Sequence, residues 1–96
     1  MITRIVRLTL QEDKISEFKK HFESSYEKIR HFEGCLFLSL YEDVDAPHVL
    51  ITFSKWDSTE SLEIYRKSEV FKSTWNKVKP LFKDAATAFS MQEIRN

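Results

Sequence analysis

Two neighbouring stretches of this 96-residue chain alternate like β-strands, and in both of them each face is apolar. In Cys35–Tyr41, Leu36, Leu38 and Leu40 oppose Cys35, Phe37, Ser39 and Tyr41. In His48–Trp56, Val49, Ile51 and Phe53 oppose Leu50, Thr52, Ser54 and Trp56. Successive side chains of a strand point to opposite sides of its sheet, so helices laid on one side leave the other uncovered. A large open apolar face is unusual on a soluble monomer. The pattern predicts a sheet with helices on one face and a second copy of the chain, a homodimer partner, on the other.

The flanking segments supply the remaining strands and the helices. Ile2 to Leu10 is a β-rich run with Val6, Leu8 and Leu10 on one side and Ile5, Arg7 and Thr9 on the other. Asp13 reads as a helix N-cap, followed by the apolar stripe Ile15, Phe18, Phe22, Tyr26 and Ile29 at helical spacing. Lys28, Arg30 and His31 fall in the last turn, where positive charge suits the helix dipole. Gly34, the single glycine, is the left-handed residue expected just beyond a helix end. An acidic turn from Glu42 to Pro47 separates the second and third strands, and Asp57 with Glu60 offers a capping-box-like start to the second helix.

Leu62 and Tyr65 share a face of that helix. Ser68 reads as a new N-cap before Phe71, Trp75, Val78 and Phe82, and Pro80 predicts an end or kink close to Val78. Residues 85–93 form a last strand with Thr87, Phe89 and Met91 on one side. The order is βαββαβ: a ferredoxin-like α+β fold, a four-stranded antiparallel sheet with its helices on one face, in one domain over residues 1–96.

Composition removes several function classes. Fifteen basic and fifteen acidic residues cancel, which argues against nucleic-acid binding, and strand three lacks the basic–Gly–aromatic–Gly pattern of an RNA-recognition motif. A single glycine cannot build a Gly-rich phosphate loop, and a single cysteine cannot build a disulfide framework. The three histidines show no metal-ligand spacing, so no metal is expected. No apolar run has the length of a membrane-spanning helix and the chain opens on a strand pattern, so the expected setting is cytoplasmic, away from membranes. Eight Phe, three Tyr and two Trp in so short a chain serve equally as core or as the lining of a pocket for a flat ligand.

The segment W-D-S-T-E-S-L-E-I-Y-R-K-S-E-V-F, residues 56–71, resembles the conserved stretch of the antibiotic biosynthesis monooxygenase family. F-E-G-C-L before strand two and the acidic turn ending in Pro47 support the resemblance, which runs over essentially the whole chain. It implies a dimeric α+β barrel, with two ferredoxin-like sheets facing each other. It also implies oxidation of hydroquinones, anthrones or related polyphenols with O2 and no metal or flavin cofactor. Other members are an isomerase of a quorum-sensing sugar phosphate and haem-degrading monooxygenases, so function does not follow from fold. Many members carry histidine at the place of Tyr65.

A cofactor-free oxygenase must bind an electron-rich aromatic, help it lose a proton and keep bulk water away. On that implied role, Trp56 and Tyr65 are the candidate catalytic residues, and Trp75, Phe22, Val6 and His48 the candidate substrate-binding ones. The plainer alternative leaves the aromatics as core and His48 as a solvent-facing group after a Pro turn. His21 and His31 lie off the apolar stripe, and Arg4 and Arg7 are either anion-stabilising groups or members of interface ion pairs. Residues 66–83 form a locally basic segment, suited to an anionic ligand or simply a solvated face. With no base at a diagnostic position, a non-catalytic dimeric ligand-binding or stress-response module is the competing function.

The haem-degrading branch places a ligating histidine where this chain has Trp75, and an indole N–H has no lone pair for iron. Titration with hemin should therefore give no complex with a histidine from the second helical region as axial ligand. A tight one-to-one complex with a histidine-ligated absorbance spectrum would contradict this.

Overall fold

In a computed structural model describing residues 1–96, strand β1 (Ile2–Thr9) is the hub of the sheet. It pairs antiparallel with β3 (Ala46–Trp56) on one side and β4 (Thr87–Gln92) on the other, and β2 (Cys35–Asp43) pairs with β3 at the edge, giving the order β2-β3-β1-β4. Helix α1 (Ile15–Arg30) crosses from β1 to β2, and α2 (Thr59–Arg66) and α3 (Glu69–Val78) cross from β3 to β4. This is the expected α+β ferredoxin-like arrangement.

Register decides which side chains meet the helices. Across the sheet, Leu40, Thr52, Val6 and Ala88 form one row, and Leu38, Ser54, Arg4 and Ser90 form the next. These rows lie under the helices. One residue along, Ser39, Phe53, Ile5 and Phe89 form a row on the other face. There Phe37, Tyr41, Phe89 and Met91 remain 40%, 49%, 53% and 44% exposed. Phe53 is edge-on to Phe37 and Tyr41, and the Lys55 ammonium lies over Phe37 and Phe53. The apolar second face expected from the strand patterns is present and uncovered within one chain.

Strict alternation fails at the start of β2. A bulge between Cys35 and Phe37 pairs Cys35 with Trp56 and Phe37 with Lys55, so Leu36 is the extra residue. Cys35 therefore packs beside Leu38 and Trp56 in the core, while Leu36 is exposed. The six-residue turn read from Glu42 to Pro47 is also shorter than expected. Asp43 already faces Ala46, only Val44 and Asp45 form the turn, and the Asp43 carboxylate accepts the Asp45 N–H at 2.9 Å. Pro47 is tolerated in the strand beside the register irregularity there.

Two expected helix starts move. Asp13 lies within a short 3-10 turn, Glu12–Lys14, and α1 begins without a side-chain cap. For α2 the cap is Ser58, one residue beyond Asp57, and its hydroxyl accepts the Ser61 N–H at 3.1 Å. Ser68 caps α3 as its position predicts, accepting the Phe71 N–H at 3.2 Å. Helix α3 stops at Val78 and a 3-10 turn, Lys79–Leu81, accommodates Pro80. Bonds from Gln11 N to Leu81 O and from Lys83 N to Thr9 O then tie this end of the chain to the end of β1.

Two apolar clusters hold helices to sheet. Leu8, Leu10, Phe18, Leu50, Val78 and Leu81 form one; Ile29, Cys35, Leu38, Trp56 and Leu62 form the other. Phe22 packs against both. Gly34 locks the second cluster to α2. Its φ is 91°, its carbonyl accepts the Asp57 N–H at 2.9 Å, and a Cβ there would collide with Ser61 and come within 2.9 Å of Asp57 Oδ1. Left-handed backbone costs a non-glycine residue about 1–2 kcal/mol, and overpacking typically adds about 1–3 kcal/mol. Gly34→Ala should lower unfolding free energy by about 2–5 kcal/mol, read from urea midpoints at fixed protein concentration. An unchanged midpoint would mean that the turn relaxes.

Candidate functional site

Between the two clusters the helices do not close onto the sheet, and a cavity of about 270 Å³ remains. The cause is side-chain size. Beneath the helices the sheet offers Thr52, Ser54 and Ala88, with Ala86 just before β4, and these small groups cannot fill the space under α2 and α3. Large-to-small positions left unfilled cost stability, so a persistent apolar cavity with a few polar groups is the usual form of a small-molecule site.

Its wall is a continuous run of aromatic rings. Trp56 stacks on Tyr65 at 4.8 Å between centroids, and Tyr65 meets Phe71 edge-on at 5.4 Å. Phe71 stacks on Trp75 at 5.7 Å, and Phe82, outside the cavity, braces Trp75 edge-on at 5.3 Å. Tyr65 and Trp75 reach this wall because the capped starts of α2 and α3 set the phase of both helices: Leu62 and Tyr65 lie one turn apart, as do Phe71 and Trp75. Trp56, at the end of β3, is 1% exposed, and its indole N–H is held by Ser54 Oγ at 3.0 Å.

Five of the six residues singled out from sequence line this one cavity: Tyr65, Trp56, Trp75, Phe22 and Val6. His48 does not. It sits at the start of β3 opposite the end of β1, where its carbonyl accepts the Leu10 N–H at 2.9 Å. His21 lies on α1 beside Glu17, and His31 caps the end of that helix beside Glu27, both away from the cavity.

Tyr65 Oη has no hydrogen-bond partner within the chain, and no buried polar side-chain atom is left unpaired, so this hydroxyl is not sealed in the core. Burial pushes the phenol far above its ordinary range, with the nearby Cys35 thiol adding to the effect. Tyr65 is therefore protonated at neutral pH: a hydrogen-bond donor and not a base. Burial likewise raises the Cys35 thiol, whose Sγ contacts the Phe37 carbonyl at 3.6 Å. A protonated thiol is a poor nucleophile.

Two charged residues stand on the wall: Arg4, for which the sequence left open an anion-stabilising or an interface role, and Arg66, read only as part of a basic segment. Arg4 faces the cavity while Arg7, three residues on, points to the opposite side of the sheet. Strand alternation groups Arg4 with Val6 but does not say which face the helices cover. Arg66 follows Tyr65 at the end of α2 and pairs with Glu63 at 3.0 Å. The lining contains no histidine and no carboxylate, and no cluster of three or more His, Cys, Asp or Glu converges anywhere to hold a metal. No helix is long and apolar enough to cross a membrane.

The fold recurs in solved structures. A conserved protein from Methanosarcina mazei Go1 superposes with a TM-score of 0.90 at 20% identity, over 97% of this chain and 93% of its own. A structure described as an antibiotic biosynthesis monooxygenase gives 0.91 at 19% identity, over 99% and 100% of the two chains. The Mycobacterium tuberculosis protein Rv0793 gives 0.89 at 20% identity, over 99% and 96%. At such identities the likeness speaks for the fold alone. No curated protein matches the sequence. Residues 1–77, from β1 through most of α3, match the sequence model of the antibiotic biosynthesis monooxygenases, and the chain belongs to that family.

Proposed function

We propose that the cavity binds a small, flat, electron-rich aromatic of the hydroquinone or anthrone kind, and that the protein promotes its oxidation by O2 with no metal or flavin. What carries this reading is the aromatic wall with one protonated, unpartnered phenol, Tyr65, opening into it. Flat rings stack on Tyr65 and Trp75, with Phe22 and Val6 enclosing them from α1 and β1 and Trp56 bracing Tyr65 from behind. The Tyr65 O–H donates to a substrate oxygen as negative charge builds on it.

For an anthrone the balance is simple. The ring CH2 loses a proton, the carbanion reduces O2, and the resulting peroxide loses water to leave a carbonyl. One oxygen atom stays, the other leaves as water, and all the electrons come from the substrate. The protein contributes binding, hydrogen bonding and exclusion of bulk water.

A specific observation favours a second reading. The lining offers no general base, neither histidine nor carboxylate. A ligand-binding module with no turnover would need none. Oxygen uptake by purified protein with a panel of hydroquinones, anthrones and flavonoids, with and without chelator, separates the two. Uptake that survives chelation supports the oxygenase; tight binding without uptake supports the module. Tyr65→Phe keeps the ring and removes one donor, so turnover should fall by about 30- to 1,000-fold with the fold intact. Unchanged turnover would return Tyr65 to a packing role.

The proposal includes a homodimer closed through the sheet face opposite the helices, supported by the exposed Phe37, Tyr41, Phe89 and Met91. Sedimentation at micromolar concentration should give twice the monomer mass, and Phe89→Asp should shift it to the monomer. A stable wild-type monomer would remove the dimer from this reading.

A further inference from the structure

The polar part of the cavity is positively charged. Arg4 and Arg66 are the only ionic side chains on its wall, one from the middle of the sheet and one from the end of α2. Arg66 is matched by Glu63 at 3.0 Å, whereas Arg4 has no carboxylate partner at all. Its one hydrogen bond is to a neutral group, Nη1 donating to Ser90 Oγ at 3.1 Å. Its cross-strand neighbour on the other side, Ser54, is taken by the Trp56 indole N–H.

Arg4 is half-buried at the open side of the cavity, so its remaining donors are free to meet water or a ligand, and an anion seated there can pair with two of them at once. Partial burial, with the charge of Arg66 adding to it and Glu63 opposing, lowers the Arg4 pKa. No carboxylate of the chain pairs with Arg4, and the cavity it lines has room for an anionic group beside it.

We infer that the ligand enters as an anion: an aromatic ring bearing an ionised oxygen, carboxylate or phenolate, that sits against Arg4 and Arg66 while the ring lies on Tyr65 and Trp75. The inference rests on the aromatic-cavity reading and adds the substrate's charge to it. It also answers the missing base. A substrate that arrives ionised, or whose phenol is made more acidic by Arg4, needs no carboxylate or histidine on the wall. Arginine suits the task because its planar fork pairs with two oxygens and stays charged when desolvated.

Matched naphthalene probes test this on the full-length protein, read by quenching of tryptophan fluorescence. 2-Naphthoate should bind about 10- to 150-fold more tightly than the near-isosteric 2-naphthamide, the range typical of a hydrogen bond to a charged group. Arg4→Gln should abolish that preference by weakening 2-naphthoate far more than 2-naphthamide, and retained 2-naphthamide binding also reports that the variant is folded. Arg4→Lys should keep part of the preference. Should the Arg4 variants fail to fold, Arg66→Gln at the exposed helix end should still reduce the preference, by less. 2-Naphthol distinguishes the two kinds of anion. Naphtholate absorbance from bound probe, at a pH where the free probe is neutral, extends the site to phenols; without it the site is one for carboxylates.

Equal affinity for naphthoate and naphthamide, with both displacing one another, would overturn the anion site and leave the aromatic cavity standing. Failure of every probe to bind would overturn the anion site together with the aromatic-cavity reading. A naphthoate preference that survives Arg4→Gln and Arg66→Gln would place the charge recognition elsewhere and overturn the assignment to these two residues.

Discussion

The stack of Trp56 on Tyr65 joins the sheet to the helical layer, and the geometry of the cavity depends on it. Trp56 is fixed from the strand side by its bond to Ser54 and by pairing with Ile2 and Cys35 on either side. Tyr65 is fixed from the helix side by the Ser58 cap that sets the phase of α2, and Phe32 meets both rings edge-on. Such aromatic pairs add about 0.5–1.5 kcal/mol each beyond the area they bury. Here they also hold a phenol hydroxyl at the edge of an open space. The Gly34 turn belongs to the same unit, because its carbonyl holds Asp57 immediately after Trp56.

The cavity exists because two well-packed clusters flank a region where the sheet offers only small side chains. Filling Thr52, Ala88 or Ala86 with larger apolar groups is the ordinary way to close a core, and the chain does not do so. A cavity with an aromatic wall, a protonated phenol and an unmatched guanidinium has the mixture of apolar surface and few polar groups from which specific small-molecule sites are made. Membership of the monooxygenase family agrees with such a site. The family name alone does not establish the reaction, since folds of this type serve several chemistries.

The two faces of the sheet divide the labour. Under the helices lie the cavity and its arginine; on the other face lie Phe37, Phe53, Tyr41 and Phe89, with Lys55 covering part of the cluster. Arg4 and Arg7 illustrate how little separates the roles. They are three positions apart on one strand, and alternation alone sends them to opposite environments.

Element order, the apolar stripe of α1, the Ser68 cap, the Pro80 stop and the two-faced strands were legible in the sequence, because each is a local periodicity or a single-residue backbone constraint. Trp56, Tyr65, Trp75, Phe22 and Val6, named from spacing together with the family resemblance, all line the one cavity, while their roles belong to the proposal. The departures have tertiary causes. Asp57 loses the capping role to Ser58 in a chain path held by its N–H bond to the Gly34 carbonyl, 23 positions earlier. The bulge at Leu36 brings Cys35 into the core, and His48 stays outside the cavity because the strand register opposes it to the end of β1. Which face of β1 the helices cover, and hence that Arg4 and not Arg7 lines the cavity, is decided only when distant strands pair and α2 and α3 pack across them. Composition and spacing carry no record of that choice, because it is a property of contacts between residues far apart in the chain.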